Sequence, residues 1–420
     1  MAEIQPPFPS SGSFIKESRK SCRDVRIASN IKIDQDAIES FLDTLSKEDF
    51  DRLKSQHGVS FPLRFPSLAS EVNFLAILSL LNTLSGYRVP LHKATGRGAY
   101  QNVLKLLFGL YITGADDGDP SSGANSLSAN GLRSISPQLV ADVMQVSLHE
   151  EKAHESIPGL VVGTRGGDIN EVVELIVKVC KETGERLIKA GYPSLGVLVL
   201  EAISGAEKIT KEKGDVAGAE YFVEQIVKAI PGFADMALVE GSQPVYVFKK
   251  VYFLLFALHQ RLSQSNETSA SVGEKSAAPT NMPKPSTLPM FVDNVLPTML
   301  VHLGIVDLTG CSSSQTLKEW GLASEKLRKE YAEGRIPETS VVEGPRLTLE
   351  DAYRVRGSCL DAGLEVVKRA HQLSKQEQSS KAWMAEMTEA DLDGYLWSVA
   401  KDDPALRKVP RMVERGTVMY

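Results

Sequence analysis

The chain lacks the features that would place it in a specialised class. Cysteine is scarce: four thiols, Cys22, Cys180, Cys311 and Cys359, stand far apart without a CxxC pair. That spacing excludes a dense disulfide scaffold, argues against a structural zinc ribbon, and fits thiols kept reduced in the cytoplasm. Positive charge is not in excess either, since 47 Lys and Arg face 53 Asp and Glu for a formal charge of −6. Such a balance argues against a broad electrostatic grip on nucleic-acid polymers or anionic membranes. Long apolar runs are missing too. The stretch FLAILSLL at 74–81 falls well short of the roughly 20 residues that cross a bilayer. The opening MAEIQPPFPSSGSF has neither a basic nor an apolar signal region, so a cytoplasmic protein is expected and the sequon at Asn266 should go unused. Glycine and proline, 32 and 21 of 420 residues, stay far below collagen-like or low-complexity levels.

What remains is an ordinary globular composition, 42% hydrophobic and 24% charged. By a prior of about 150 residues per domain, this length allows two or three domains. Apolar residues at three- and four-residue intervals predict helices over 37–46, 69–85, 99–112, 169–190, 195–211 and 216–229. The same pattern continues over 250–262, 294–303, 314–331, 348–373 and 388–400. Asp36 is a candidate N-cap, and Ser136 followed by Pro137 predicts a capped helix start that runs to about Leu148. One hairpin is expected, MALV at 236–239 and VYVF at 245–248 around a loop of about five residues. Its exit delivers Lys249 and Lys250 into the next helix. Two polar stretches, 115–131 and 263–287, carry too few apolar residues to pack and read as loop insertions. The helical pattern resumes immediately after the second stretch, so a long loop within one mainly α unit fits at least as well as a domain boundary.

Motifs with metal or phosphate chemistry fail on spacing. His149 and His154 are five apart, whereas HExxH needs four. The glycine-rich stretches at 96–98 and 163–167 complete neither GxGxxG nor a P-loop, and the acidic cluster at 116–119 lacks EF-hand spacing. From these residues metal binding is not expected. Two other segments are more informative. In MFVDNVLPTMLVHLG at 290–304, Asp293 could cap a helix whose Leu296, Leu300 and Leu303 face the core, with His302 as a packing histidine. In LDGYLW at 392–397, Asp393 and Trp397 are four apart and share a helix face. An acid beside an indole would suit a flat, hydrogen-bonding ligand.

These two blocks, with Arg356-Gly357 between them and an aromatic end at Tyr420, resemble the queuosine salvage family of queuosine 5′-phosphate N-glycosylases. Further similar stretches are SRKSCRDV at 18–25, residues 184–197, IPGF at 230–233, and Glu240-Gly241 through Lys249-Lys250. The resemblance implies a single helical domain over 1–420 similar to helical DNA glycosylases, with one small β-hairpin and the two polar insertions. It also implies hydrolysis of queuosine 5′-monophosphate to queuine and ribose 5-phosphate, without cofactor. On the matching positions, Asp293 would be the catalytic carboxylate, and Phe291 and Asp393 would lie at the base. The chain departs from the family pattern at 82–87, at Gly394, where an aromatic is usual, and at Ser398, where an acid is usual.

Cleavage of a nucleosidic C–N bond passes through an oxocarbenium-like sugar, so a carboxylate beneath the anomeric carbon can stabilise charge and accept a proton from water. Phe291 could stack on the base, and Asp393 could accept its hydrogen bonds, with Trp397 on the same helix face. A 5′-phosphate needs cations, for which Lys249, Lys250, Arg356 and His57 are candidates, with Lys250 and Arg356 preferred. Two alternatives stay open: a modified-nucleoside binding protein without catalysis, and a glycosylase for a different modified nucleoside.

Overall fold

The computed structural model describes residues 6–54, 63, 65–113, 125–153, 156–157, 161–272, 279, 281–336, 342–376 and 380–420, without the side chains of 153 and 264–272. The chain is mainly helical, at 65%. In order along the chain, the helices are α1 (Phe14–Ala28), α2 (Gln35–Thr44), α3 (Lys47–Lys54), α4 (Leu68–Leu80), α5 (Arg88–Thr95), α6 (Ala99–Thr113), α7 (Ala129–Ser134) and α8 (Pro137–Met144). There follow α9 (Gly167–Ala190), α10 (Leu195–Lys213), α11 (Asp215–Ala229), α12 (Lys249–Val272), α13 (Val295–His302), α14 (Gln315–Ala332), α15 (Leu349–Leu373) and α16 (Glu389–Asp402). Among the described residues, strands form only two-stranded sheets. Antiparallel pairs join β1 (Lys32–Ile33) to β6 (Val306–Asp307), β2 (His149–Ala153) to β3 (Val161–Arg165), and β4 (Met236–Val239) to β5 (Gln243–Tyr246). A parallel pair joins β7 (Glu343–Arg346) to β8 (Arg411–Val413). No single helix among the described residues is long and apolar enough to cross a membrane.

The chain divides into two compact units. One draws on Met1–Pro62, Gly205–Gln225 and Asp235–Glu414, the other on Leu63–Ser204, Ile226–Ala234 and Arg415–Tyr420.

Within the first unit, α1 buries Phe14, Ile15, Ser18, Cys22 and Val25 along one face, a helical period that fits it against α15. Gly357 of α15 permits the approach, because a Cβ there would sit 3.0 Å from Val25 Cγ1 and 3.4 Å from Cys22 Cα. The unsatisfied amides at the start of α1 are taken up by carboxylates from α11. Glu220 accepts from the Ile15 and Lys16 N–H groups at 2.7 and 3.0 Å, and Glu224 accepts from Gly12 N–H at 2.7 Å. Anions at a helix N-terminus satisfy orphan donors and complement the dipole. Asp361 of α15, nearly buried, accepts from Arg23 and Arg26 on the neighbouring face of α1 at 3.2 and 2.7 Å.

In the second unit, Asn73 of α4 donates to the Leu127 carbonyl at 3.0 Å and accepts from Gly196 N–H at 2.9 Å. The final residues dock there as well: Gly416 N–H donates to the Tyr87 hydroxyl at 2.8 Å, and Thr83 Oγ1 donates to the carbonyl of buried Tyr420 at 3.0 Å. Helices α7 and α9 pack closely at Gly184.

Several elements differ from the expectations. Asp34, rather than Asp36, caps α2 by accepting from Ala37 N–H at 2.9 Å. The hairpin turn is tighter than expected, because Gln243 and Pro244 join the ladder opposite Val239 and Leu238. Positive φ at Glu240 and Gly241 makes this turn possible. The hairpin is also accompanied by the other small pairings. Helix α12 runs ten residues into the stretch expected to be a loop at 263–287: no proline or glycine interrupts 263–272, and Gly273 is the first breaker. Of the other expected loop, 114–124 lies outside the described residues. Its end is packed: Asn125 and Leu127 are buried, and Ser128 caps α7 through Gly131 N–H at 3.1 Å. The Ser136–Pro137 start of α8 is as expected, although the helix ends at Met144 with Gln145 in the left-handed region.

A Cβ added at Gly184 would lie 2.5 Å from Arg133 N and 2.6 Å from the Ala129 carbonyl oxygen, both backbone atoms that cannot swing aside. Gly184→Ala is therefore expected to destabilise the protein by about 1–3 kcal/mol. Urea unfolding measures this directly, and a midpoint equal to that of the parent chain would refute the packing argument.

Candidate active site

The centre of the first unit is an extended segment, Met290–Asp293, that leads into α13. Its side chains and backbone are held from several sides. Met290 is fully buried and lies against Gly363 of α15, where a Cβ would fall 2.3 Å from Met290 Cε. Phe291 packs its ring edge-on to Phe253 at 6.1 Å and tilted to Phe256 at 5.4 Å, both on α12. Its N–H donates to Asp393 Oδ2 at 2.7 Å. The Val292 carbonyl accepts from Arg356 Nε at 3.1 Å and Nη2 at 3.0 Å. Asp293 Oδ1 then accepts from Val295 N–H at 2.6 Å and Leu296 N–H at 3.4 Å, capping α13. The second oxygen, Oδ2, accepts no hydrogen bond among the described residues. Asp293 thus has one oxygen committed to the fold and one left for chemistry, at 8% exposure.

Asp293, Phe291 and Asp393 are accordingly brought to one buried place. Helix α16 presents Asp393 because Thr388 and Asp391 start it with a reciprocal capping box, fixing the register of the turn that follows. Burial pushes the Asp393 carboxyl well above its ordinary range, and the charge of Asp293 pushes the same way. The Phe291 amide and Lys249 only partly oppose this. Asp393 is therefore held toward its neutral form. Two acids with separated protonation are what acid–base chemistry at neutral pH requires.

Lys249 completes the set. It opens α12 straight out of the hairpin and is 3% exposed. Burial lowers its pKa to about 8; Arg356 adds to the drop, while the charges of Asp293, Asp235 and Asp393 oppose it. Of the two lysines at the hairpin exit, Lys249 has a charge that interacts with both aspartates. Lys250 is fully buried at the next position.

Arg356 takes a place different from the one expected at a substrate phosphate. It is fully buried, and its guanidinium binds Asp235 through Nη1 at 3.0 Å and Nη2 at 2.6 Å while also holding Val292. Its donors are directed into the protein, because the carboxylate that matches them is equally buried. Trp397 lies one turn beyond Asp393 on α16, half-buried, with Lys401 Nζ 5.2 Å from its ring centre. Ser398 donates to the Leu53 carbonyl at 3.0 Å. His302 packs edge-on against Tyr331 at 5.0 Å, and burial together with Arg328 lowers its pKa to about 4, so it stays neutral. His57 and His154 lie outside the described residues, and His149 sits exposed on β2. Asp235 and Tyr353, which support the site from behind, were not singled out in the sequence. The only signal for Asp235 was its place just before the hairpin strand.

The Lys249 shift can be checked through stability. A base whose folded pKa is depressed destabilises the fold below that pKa, and the cost disappears as pH rises from the folded toward the unfolded value. Between pH 8 and 10.5 the parent chain should therefore gain stability relative to Lys249→Met, by up to roughly 3 kcal/mol. Parallel stability curves for the two proteins over that window would show that the amine titrates normally.

No protein-family model and no curated protein matches this chain, so its chemistry must be read from these side chains.

Proposed function

We propose that the chain hydrolyses the N-glycosidic bond of queuosine 5′-monophosphate, releasing queuine for salvage into tRNA modification. The observation that carries this reading is the pairing of Asp293, whose Oδ2 accepts no hydrogen bond among the described residues, with Asp393, which holds the Phe291 amide and whose carboxyl is held toward the neutral form. The resemblance of the MFVD and LDGYLW blocks to the queuosine salvage family supplies the substrate.

In this mechanism Asp293 Oδ2 faces the anomeric carbon, stabilises the oxocarbenium-like sugar and accepts the proton of the attacking water. Queuine is a 7-deazapurine and cannot be protonated at the ring position that assists the departure of ordinary purines. A neutral Asp393 beside the base can donate a hydrogen bond or proton to another edge of the leaving group. Lys249 offsets the negative charge of the two acids and gives the substrate phosphate or ribose an ammonium at short range. Phe291 supplies an aromatic wall backed by Phe253 and Phe256.

Incubating the purified protein with queuosine 5′-monophosphate should release free queuine, detected by mass spectrometry. Asp293→Asn should lower turnover by roughly a thousandfold or more, the scale of losing one preorganised electrostatic group together with a general base. Tight substrate binding with no product would favour the non-catalytic binding reading. Full turnover in Asp293→Asn would remove this residue from the mechanism.

A further inference from the structure

Asp235 and Arg356 are the most deeply buried ion pair among the described residues, with both side chains at 0% exposure. Neither reaches the surface, and neither is needed by the reaction just described. The Asp235 carboxylate binds Arg356 through both oxygens, accepts the Tyr353 hydroxyl on Oδ1 at 2.8 Å, and accepts the Lys249 N–H on Oδ2 at 3.2 Å. The Asp235 carbonyl accepts from Val247 N–H at 2.9 Å and Phe248 N–H at 3.2 Å. On the other side, Arg356 places two donors on the Val292 carbonyl, one residue before Asp293.

One pair thus grips the backbone at two points: the residue preceding Asp293, and the amide of Lys249 itself. The second grip coincides with strain. Phe248 has φ of 51°, a left-handed conformation disfavoured for an aromatic residue, directly before Lys249. The bonds from Phe248 and Lys249 N–H to Asp235 hold the chain in that turn. A buried ion pair is a poor way to gain stability, since apolar residues of similar volume often serve as well. A planar fork that fixes two backbone points at once is a good way to set geometry.

We propose that Asp235 and Arg356 form a positioning clamp that sets the placement of the Asp293 carboxylate relative to the Lys249 ammonium. Its catalytic consequence rests on the glycosylase reading above, but the placement itself does not. Asp235 and Arg356 are positioning residues that act through the backbone, and Tyr353 steadies the carboxylate. Burial and the charge of Asp235 keep the Tyr353 phenol protonated as a donor.

Three variants test the clamp. Arg356→Lys keeps the charge and loses the fork; Asp235→Asn keeps the shape and loses the charge; Tyr353→Phe removes one bond and leaves the ring, so it serves if the first two fail to fold. With queuosine 5′-monophosphate as substrate, Arg356→Lys and Asp235→Asn should each lower kcat by roughly 100-fold, the scale of a small misplacement of reacting groups. KM should change less than about threefold, and Tyr353→Phe should lower kcat by about three- to tenfold. Rescue of kcat by Arg356→Lys would show that charge alone matters and would overturn the clamp. A change confined to KM would put Arg356 at the substrate and overturn it too.

The second measurement needs no turnover. The Lys249 amine, assigned by its loss in Lys249→Met, is titrated by nitrogen NMR in the full chain. It should titrate near 8 in the parent and move by about one pH unit or more in Arg356→Lys, which keeps every charge, because its distance from Asp293 changes. A parent protein that releases no queuine would defeat the glycosylase reading alone. The clamp would then stand or fall on whether the lysine titration moves in folded Arg356→Lys.

Discussion

An anion with no exposure to water must be matched on every side, and Asp235 is such an anion. Its partners come from separate elements: Arg356 and Tyr353 from α15, and the Lys249 amide from the first turn of α12. Removing one partner would leave uncompensated charge in a low-dielectric interior, which costs several kcal/mol. That penalty makes the arrangement close to all-or-none. The hairpin exit, the start of α12 and the middle of α15 hold their mutual places together, and the Met290–Asp293 segment follows through the Val292 carbonyl. The site is therefore anchored on helices and on a short, strained turn rather than on a long loop.

The same low dielectric governs the protonation of the acids. Asp235 and Arg356 oppose each other in their effect on Lys249, and Lys249, Asp293 and Asp393 act on one another as well. One ammonium can offset one carboxylate. Burial and the charge of Asp293 together drive the Asp393 carboxyl toward its neutral form. Burial drives Lys249 the other way, and the two aspartates hold it back. The two tendencies are linked: losing the Lys249 proton would leave Asp293 without its counter-charge and would further disfavour ionisation of Asp393.

Helix positions were readable because the apolar period was strong. The observed α9, α13, α15 and α16 begin and end within a few residues of the predicted spans. Helix α1 was not anticipated: its buried face includes Ser18, Ser21 and Cys22 among charged neighbours, so its apolar stripe is thin. The extension of α12 through Ser263–Val272 was missed because polarity was read as loop, whereas the local requirement for leaving a helix is a breaker. At the site, Asp293 and Asp393 could be chosen from two short blocks. The engagement of Asp293 with the start of α13 was also expected. Arg356 was misplaced because its partner, Asp235, lies 121 residues away. Asp235 itself carries no motif, and an ion pair of such long separation leaves no spacing for sequence reasoning to detect.

The geometry also sets limits on how such a site can work. Phe291 and Asp393 are each 3% exposed and Asp293 is 8% exposed, so the acids meet little water before any ligand arrives. For N-glycoside hydrolysis that dryness strengthens the attraction between a developing sugar cation and the Asp293 carboxylate. It also removes the solvent that would otherwise stabilise a departing base, so a proton donor fixed in place becomes the main source of help for the leaving group. A base that cannot take a proton at its five-membered ring depends on such a donor more than an ordinary purine does. On the proposed reading, the burial that holds Asp393 toward its neutral form and the burial that strengthens Asp293 are one constraint acting on both halves of the reaction.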